Sequence, residues 1–123
     1  MTKQLLILEE EKSIVASLEQ FLEPKGYVIY IADNVRHGIE VLNSLPVNGV
    51  LLSLDMFGAP DLRMLNDLRV QHPRIPIIAM SSNPTRKLIL ETFAVGVRGH
   101  LSKPIVNEQL RKLCSSLRGT LIN

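Results

Sequence analysis

The stretch Val50-Leu51-Leu52-Ser53-Leu54, running on into Asp55-Met56-Phe57-Gly58-Ala59-Pro60, decides the fold. Four of its first five residues are apolar, without the alternation that marks a half-exposed strand. A short continuous apolar run of this kind reads as a strand buried on both faces, which belongs to a parallel sheet covered by helices. Gly58-Ala59-Pro60 then reads as a loop, and Leu62, Leu65 and Leu68 recur at helical spacing over residues 61–71. Ser53 sits at the carboxyl end of the strand, where open α/β sheets gather their functional groups.

The same alternation extends in both directions. Upstream, residues 5–8 form a buried strand ending in Glu9-Glu10-Glu11, and residues 13–22 form a helix with Ile14, Leu18 and Phe21 on one face. Residues 24–26 stop that helix. Residues 27–32 are β-rich, and Asp33 or Asn34 can cap a helix reaching about residue 45, with Ile39 and Leu42 inward. Downstream, His72-Pro73-Arg74 breaks the chain, and residues 75–80 form a fourth strand that tolerates Pro76 only near its start. A helix over 85–95 ends at Gly96, residues 100–102 make a short fifth strand, and Asn107 opens a last helix carrying Leu110, Leu113 and Leu117. Five strand–helix repeats predict an α/β domain with a parallel sheet covered on both faces.

Composition excludes several classes. The 123 residues suit one domain, here 1–123, and 46% hydrophobic content supports a core that must be aliphatic, since aromatics are 4%. Basic residues (14) are scattered among acidic ones (12), with no basic run or aromatic–basic stripe to suggest nucleic-acid binding by this domain. The lone Cys114 permits no internal disulfide and reads as a small core residue. No apolar segment is long enough for a membrane span, and Met1-Thr2-Lys3-Gln4 leads straight into a strand without room for a signal peptide. A cytoplasmic protein is the expectation. The end, Gly119-Thr120-Leu121-Ile122-Asn123, reads as a helix stop, so the domain is expected to be the N-terminal part of a longer protein.

Four segments together resemble the receiver domain of bacterial two-component response regulators: Leu5 to Glu11 with its acidic cluster, Val50-Leu51-Leu52-Ser53-Leu54, Ile75 to Ser82 with a terminal hydroxyl, and Gly96 to Pro104 ending in Lys103-Pro104. The resemblance implies a flavodoxin-like, doubly wound sheet in the order 2-1-3-4-5 with five helices. It also implies a chemistry. Carboxylates hold Mg²⁺, an aspartate accepts the phosphoryl group, and a lysine neutralises its charge. A Ser or Thr hydroxyl then binds a phosphoryl oxygen, and an aromatic residue on strand five turns inward. Carried over, Lys103 matches the lysine, with a cis bond expected before Pro104. Ser81 matches the switch hydroxyl and His100 the aromatic position. Glu9 and Glu10 match the metal-binding acids, Glu10 with one methylene more than the usual aspartate.

Ser53 falls on the acceptor position, and a hydroxyl neither holds the metal nor forms an acyl phosphate. The resemblance therefore points to a degenerate receiver, a pseudo-receiver that is not an enzyme, has no resident cofactor and binds Mg²⁺ weakly or not at all. Asp55, two residues on, is the alternative acceptor; using it makes this a conventional Mg²⁺-dependent receiver. A small-molecule-binding flavodoxin-like domain is a third class, but Glu9-Glu10-Glu11 stands where a phosphate-cradling glycine loop belongs. Lys103 is expected to turn toward Glu9, Glu10 or Asp55 in place of a metal. His37 and His72 read as loop or surface residues.

Expected partners are signalling proteins, a histidine kinase or an output domain. Leu88, Ile89, Leu90, Phe93, Ala94 and Val95 cover more of the 85–95 helix than one buried face needs. They make either a wide core stripe or, with strand 100–102, a surface for a partner or a second copy.

Overall fold

The computed structural model describes residues 3–56 and 62–121; the side chains of 114 and 116–121 lie outside that description. The loop expected at Gly58-Ala59-Pro60 and the helix start expected at Asp61 fall among the residues not described, and the core positions expected for Cys114 and Leu117 rest on side chains outside the description.

Among the described residues, strands and α-helices alternate: β1 Lys3–Leu8, α1 Lys12–Leu22, followed by a 3-10 turn at Glu23–Lys25, β2 Tyr27–Ala32, α2 Val35–Ser44, β3 Gly49–Ser53, α3 Leu62–Gln71, β4 Ile77–Ser81, α4 Arg86–Val95, β5 Gly99–Ser102 and α5 Asn107–Leu121. All strand pairs are parallel, in the order β2-β1-β3-β4-β5. The expected α/β fold is the observed one.

The period of two along each strand divides the core. Leu6, Leu8, Val50, Leu52, Ile77 and Ala79 pack with Val41 and Leu42 of α2 and Met64, Leu65 and Leu68 of α3. Leu5, Ile7, Leu51, Ile78 and Met80 pack on the other face with Val15, Leu18 and Leu22 of α1 and Leu110 and Leu113 of α5. Every residue of β3 is buried, as its unbroken apolar run requires. α2 lies close to β1 because Gly38 lacks a side chain: a Cβ there would fall 3.0 Å or less from three atoms of Leu8.

Helix ends follow their caps. Asn34 accepts from the His37 amide at α2, and the Thr85 hydroxyl accepts from the Leu88 amide at α4. Gly96 closes α4 in the left-handed region at φ 108°. The fourth strand starts two residues later than expected. Ile75 donates to His72 in a turn, and Pro76 has no N–H to give, although its carbonyl accepts from Val50 at 3.0 Å. The strand then runs one residue further, through Ser81.

Candidate functional site

Parallel pairing brings the carboxyl ends of β1, β3, β4 and β5 to one edge of the sheet. Ser53 is the last residue of β3, opposite Met80, and is fully buried. Two residues on, Asp55 lies in the turn that follows, its amide donating to Ser53 Oγ at 3.3 Å. Lys103 follows β5 and precedes a cis proline bond, as expected. Its amide donates to the Ser81 carbonyl, which aims the side chain back over the strand ends.

Lys103 Nζ is the centre of the cluster, with its side chain 5% exposed. It lies 2.5 Å from Glu9 Oε1, donates to Ser53 Oγ at 2.8 Å, and reaches Asp55 Oδ2 at 3.3 Å. Glu9, 1% exposed, divides its oxygens. Oε2 accepts from the Glu10 and Glu11 amides at 2.9 and 3.3 Å, where α1 begins. Oε1 faces the Lys103 ammonium in a close, enclosed ion pair. Of Glu9, Glu10 and Asp55, any of which could have met Lys103, the first and the last do so. Glu10 is exposed on the first turn beyond the strand.

This arrangement does not fit Mg²⁺. A hard cation needs several converging oxygens free of other cations. Here an ammonium sits against Glu9 and Asp55, and Glu10 points elsewhere. Among the described residues no group of three Asp, Glu, His or Cys side chains could hold a metal ion.

Two residues that the sequence did not single out complete the cluster. The Ser82 amide and hydroxyl both donate to Asp55 Oδ2, at 2.8 and 2.7 Å. Thr92, in mid-α4, is fully buried. Its signal was positional: it lies on the face of Leu88 and Val95, four residues after one and three before the other. Its hydroxyl donates to the Ile89 carbonyl at 2.7 Å, so the His100 ring must donate from Nδ1 to Thr92 Oγ1, 3.2 Å away. The neutral ring then accepts at Nε2, and the fully buried Ser81 hydroxyl donates to it at 2.6 Å. Ser81 has one hydrogen and spends it on His100.

Burial lowers the His100 pKa from its ordinary 6.5, and the negative charge of Asp55 opposes that shift in part. The folded protein therefore binds fewer protons at this ring than the unfolded chain does. His100 contributes stability above about pH 6.5, and the contribution is lost as pH falls through the lowered folded value. Protonation also puts a hydrogen on Nε2, which makes Ser81 an acceptor. An NMR titration of the ring is expected to show a midpoint below 6.5, with Ser81 and Thr92 amides moving at the same pH; a midpoint at or above 6.5 contradicts the enclosed neutral ring.

The comparisons with known proteins identify the family. The family profile for the response regulator receiver domain matches residues 5–115. The chain belongs to the response regulator receiver family. It is 30% identical over 118 residues to the transcriptional regulatory protein CrdR of Helicobacter pylori, covering 89% of this chain and 52% of that protein. It is 30% identical over 116 residues to the hybrid signal transduction protein dokA of Dictyostelium discoideum, covering 92% of this chain and 7% of that one. The chain thus spans about half or less of these relatives. Among solved structures, a two-component response regulator from Clostridium difficile superposes with a TM-score of 0.84 at 25% identity, covering 95% of this chain and 97% of that one. An orphan response regulator of H. pylori superposes at 0.82 with 19% identity, covering 94% and 97%, which shows the shared fold. This receiver domain is therefore a module of two-component signalling.

Proposed function

We propose that this receiver domain is a pseudo-receiver: it acts as a protein interaction module whose signalling needs no aspartyl phosphate and no resident metal. The observation that carries the reading is Ser53, buried at the end of β3 and bonded to Lys103. A hydroxyl gives at best a stable phosphoester, and a buried one offers a phosphodonor no line of approach. Two further observations support it. Lys103 is already paired with Glu9, and the Ser81 hydrogen is already spent on His100. Glu9, Ser81, His100 and Lys103 then have structural roles at positions that serve phosphotransfer in other receivers. The domain is not an enzyme in this reading. Its partners are signalling proteins in the cytoplasm, and residues 1–123 form one domain of a longer protein. No described helix is long and apolar enough to cross a membrane.

The alternative is a conventional receiver with Asp55 as acceptor. Its partly exposed side chain favours access, but its Oδ2 is occupied by three donors. Treatment with acetyl phosphate and Mg²⁺, followed by intact-mass measurement of the wild type, Ser53→Ala and Asp55→Asn, separates the two. The pseudo-receiver shows no adduct in any of them. An adduct present in Ser53→Ala and absent in Asp55→Asn establishes Asp55 as the acceptor.

The interaction surface of this reading is α4. Leu88 and Val95 pack on the core, whereas Leu90 is 59% and Phe93 46% exposed, so the helix carries an apolar outer stripe as well as a buried one. A partner or a second copy covers this stripe together with β5. Sedimentation velocity is expected to show self-association, or association with the partner, that Leu90→Asp and Phe93→Asp abolish; a strict monomer whose partner binding survives both substitutions removes α4 from the interface.

A further inference from the structure

We propose that Asp55 is a tethered ligand: its carboxylate fills an oxyanion cradle made by the Ser82 amide, the Ser82 hydroxyl and the Lys103 ammonium, and so fixes the start of the β4–α4 loop. The inference deepens the pseudo-receiver reading and rests on it, because a cradle already filled needs no added phosphoryl group.

The geometry is that of an anion site. One oxygen, Asp55 Oδ2, receives a backbone N–H at 2.8 Å, a hydroxyl at 2.7 Å and an ammonium at 3.3 Å. The two shorter bonds are at charge-assisted lengths. The donors come from two segments, the end of β4 and the end of β5, and the acceptor comes from a third, the turn after β3. Nothing in local sequence draws Ser82 to Asp55, 27 residues away; the converging donors do. Lys103 is itself more than nine-tenths buried, so its charge is directed at a few oxygens instead of water. Ser82 follows Ser81 directly, and Ser81 holds His100, which holds Thr92 in α4. A carboxylate that anchors Ser82 thus sets where the β4–α4 loop begins. Emptied of Asp55, the cradle has the donors for a small carboxylate or an inorganic phosphate, without a metal.

The test uses NMR of the domain with formate as the probe, the smallest carboxylate and close to the group that Asp55→Ala removes. In the wild type the Ser82 amide proton is expected downfield and indifferent to formate. In Asp55→Ala it moves upfield, and the His100 ring resonances shift with it. Formate then returns both toward their wild-type positions. Asp55→Asn keeps the side-chain volume and guards against misfolding: its Ser82 amide shifts partway, and formate has no effect because the cradle is still filled. A Ser82 amide unmoved in Asp55→Ala overturns the inference, as does a formate response in the wild type equal to that in the variant. These outcomes leave the pseudo-receiver reading intact. A phosphoryl adduct on Asp55 overturns both.

Discussion

Lys103→Met is expected to cost about 3–5 kcal/mol of stability, because it leaves Glu9 as an uncompensated charge inside the protein. Both partners are almost wholly enclosed, at 5% and 1% side-chain exposure, so water cannot replace the lost ammonium. The substitution also strips a donor from Ser53 and a counter-charge from Asp55. Glu9→Gln in the same background removes the stranded charge and keeps a carbonyl oxygen for the Glu10 and Glu11 amides. The double variant should therefore recover most of the loss, a non-additivity that neighbouring sites permit and distant sites do not. Urea denaturation of the two single variants and the double measures it. A loss below about 1 kcal/mol for Lys103→Met, the range of a solvent-exposed pair, rejects the enclosed ion pair as the element that holds the strand ends.

Arg69→Ala comes next. The Arg69 guanidinium donates through one nitrogen to Ile75 at 2.9 Å and Pro73 at 3.1 Å, and through the other to Gly96 at 3.2 Å. One side chain thus closes the end of α3, the turn before β4 and the C-terminal cap of α4. Burial and the charge of Arg98 hold its pKa below the ordinary value. The carbonyls gain from a charged donor, and bonds of that type contribute about 1.5–3 kcal/mol. Arg69→Ala should lose about that amount in urea denaturation. Arg69→Lys should recover less than half, since a point charge cannot reach Ile75 and Gly96 together as the planar fork does. Faster amide exchange at Gly96 and Val97 should accompany the loss. Full recovery with lysine contradicts a role that depends on the fork.

The fold was largely legible because its signal lies in unbroken apolar runs. Leu5-Leu6-Ile7-Leu8 and Val50-Leu51-Leu52 are short runs bounded by turns, which favours a doubly buried strand, and Asn34 and Gly96 mark helix ends in ordinary ways. The start of β4 was harder to read. Ile75 is as β-prone as Ile77, and only the missing Pro76 donor and the His72 turn keep it out of the strand. The site was legible where chain position implies geometry: Ser53 and Lys103 stand at strand ends, and a lysine there meets carboxylates from neighbouring strands. It was illegible where a side chain works through distance in space. Glu10 looks like the twin of Glu9, yet the chain turns into α1 between them and sends one inward and the other to solvent. Thr92 looks like a polar spacer in an apolar helix, and only the ring nitrogen of His100 beside it explains why a hydroxyl is buried there. Ser82 looks like a turn residue until Asp55, in a different loop, is placed against it.

A site already closed by its own side chains leaves no free acceptor for a phosphoryl group. Beryllofluoride with Mg²⁺ tests it most directly, since it mimics an aspartyl phosphate and binds where a free acceptor carboxylate and a metal site coexist. The amide spectrum of the wild-type domain is predicted to be unchanged by beryllofluoride and Mg²⁺, at Asp55, Ser82, His100 and Lys103 above all. Saturable shifts centred on Asp55 and propagating to Ser82 and His100 would contradict the account and establish a working acceptor at Asp55.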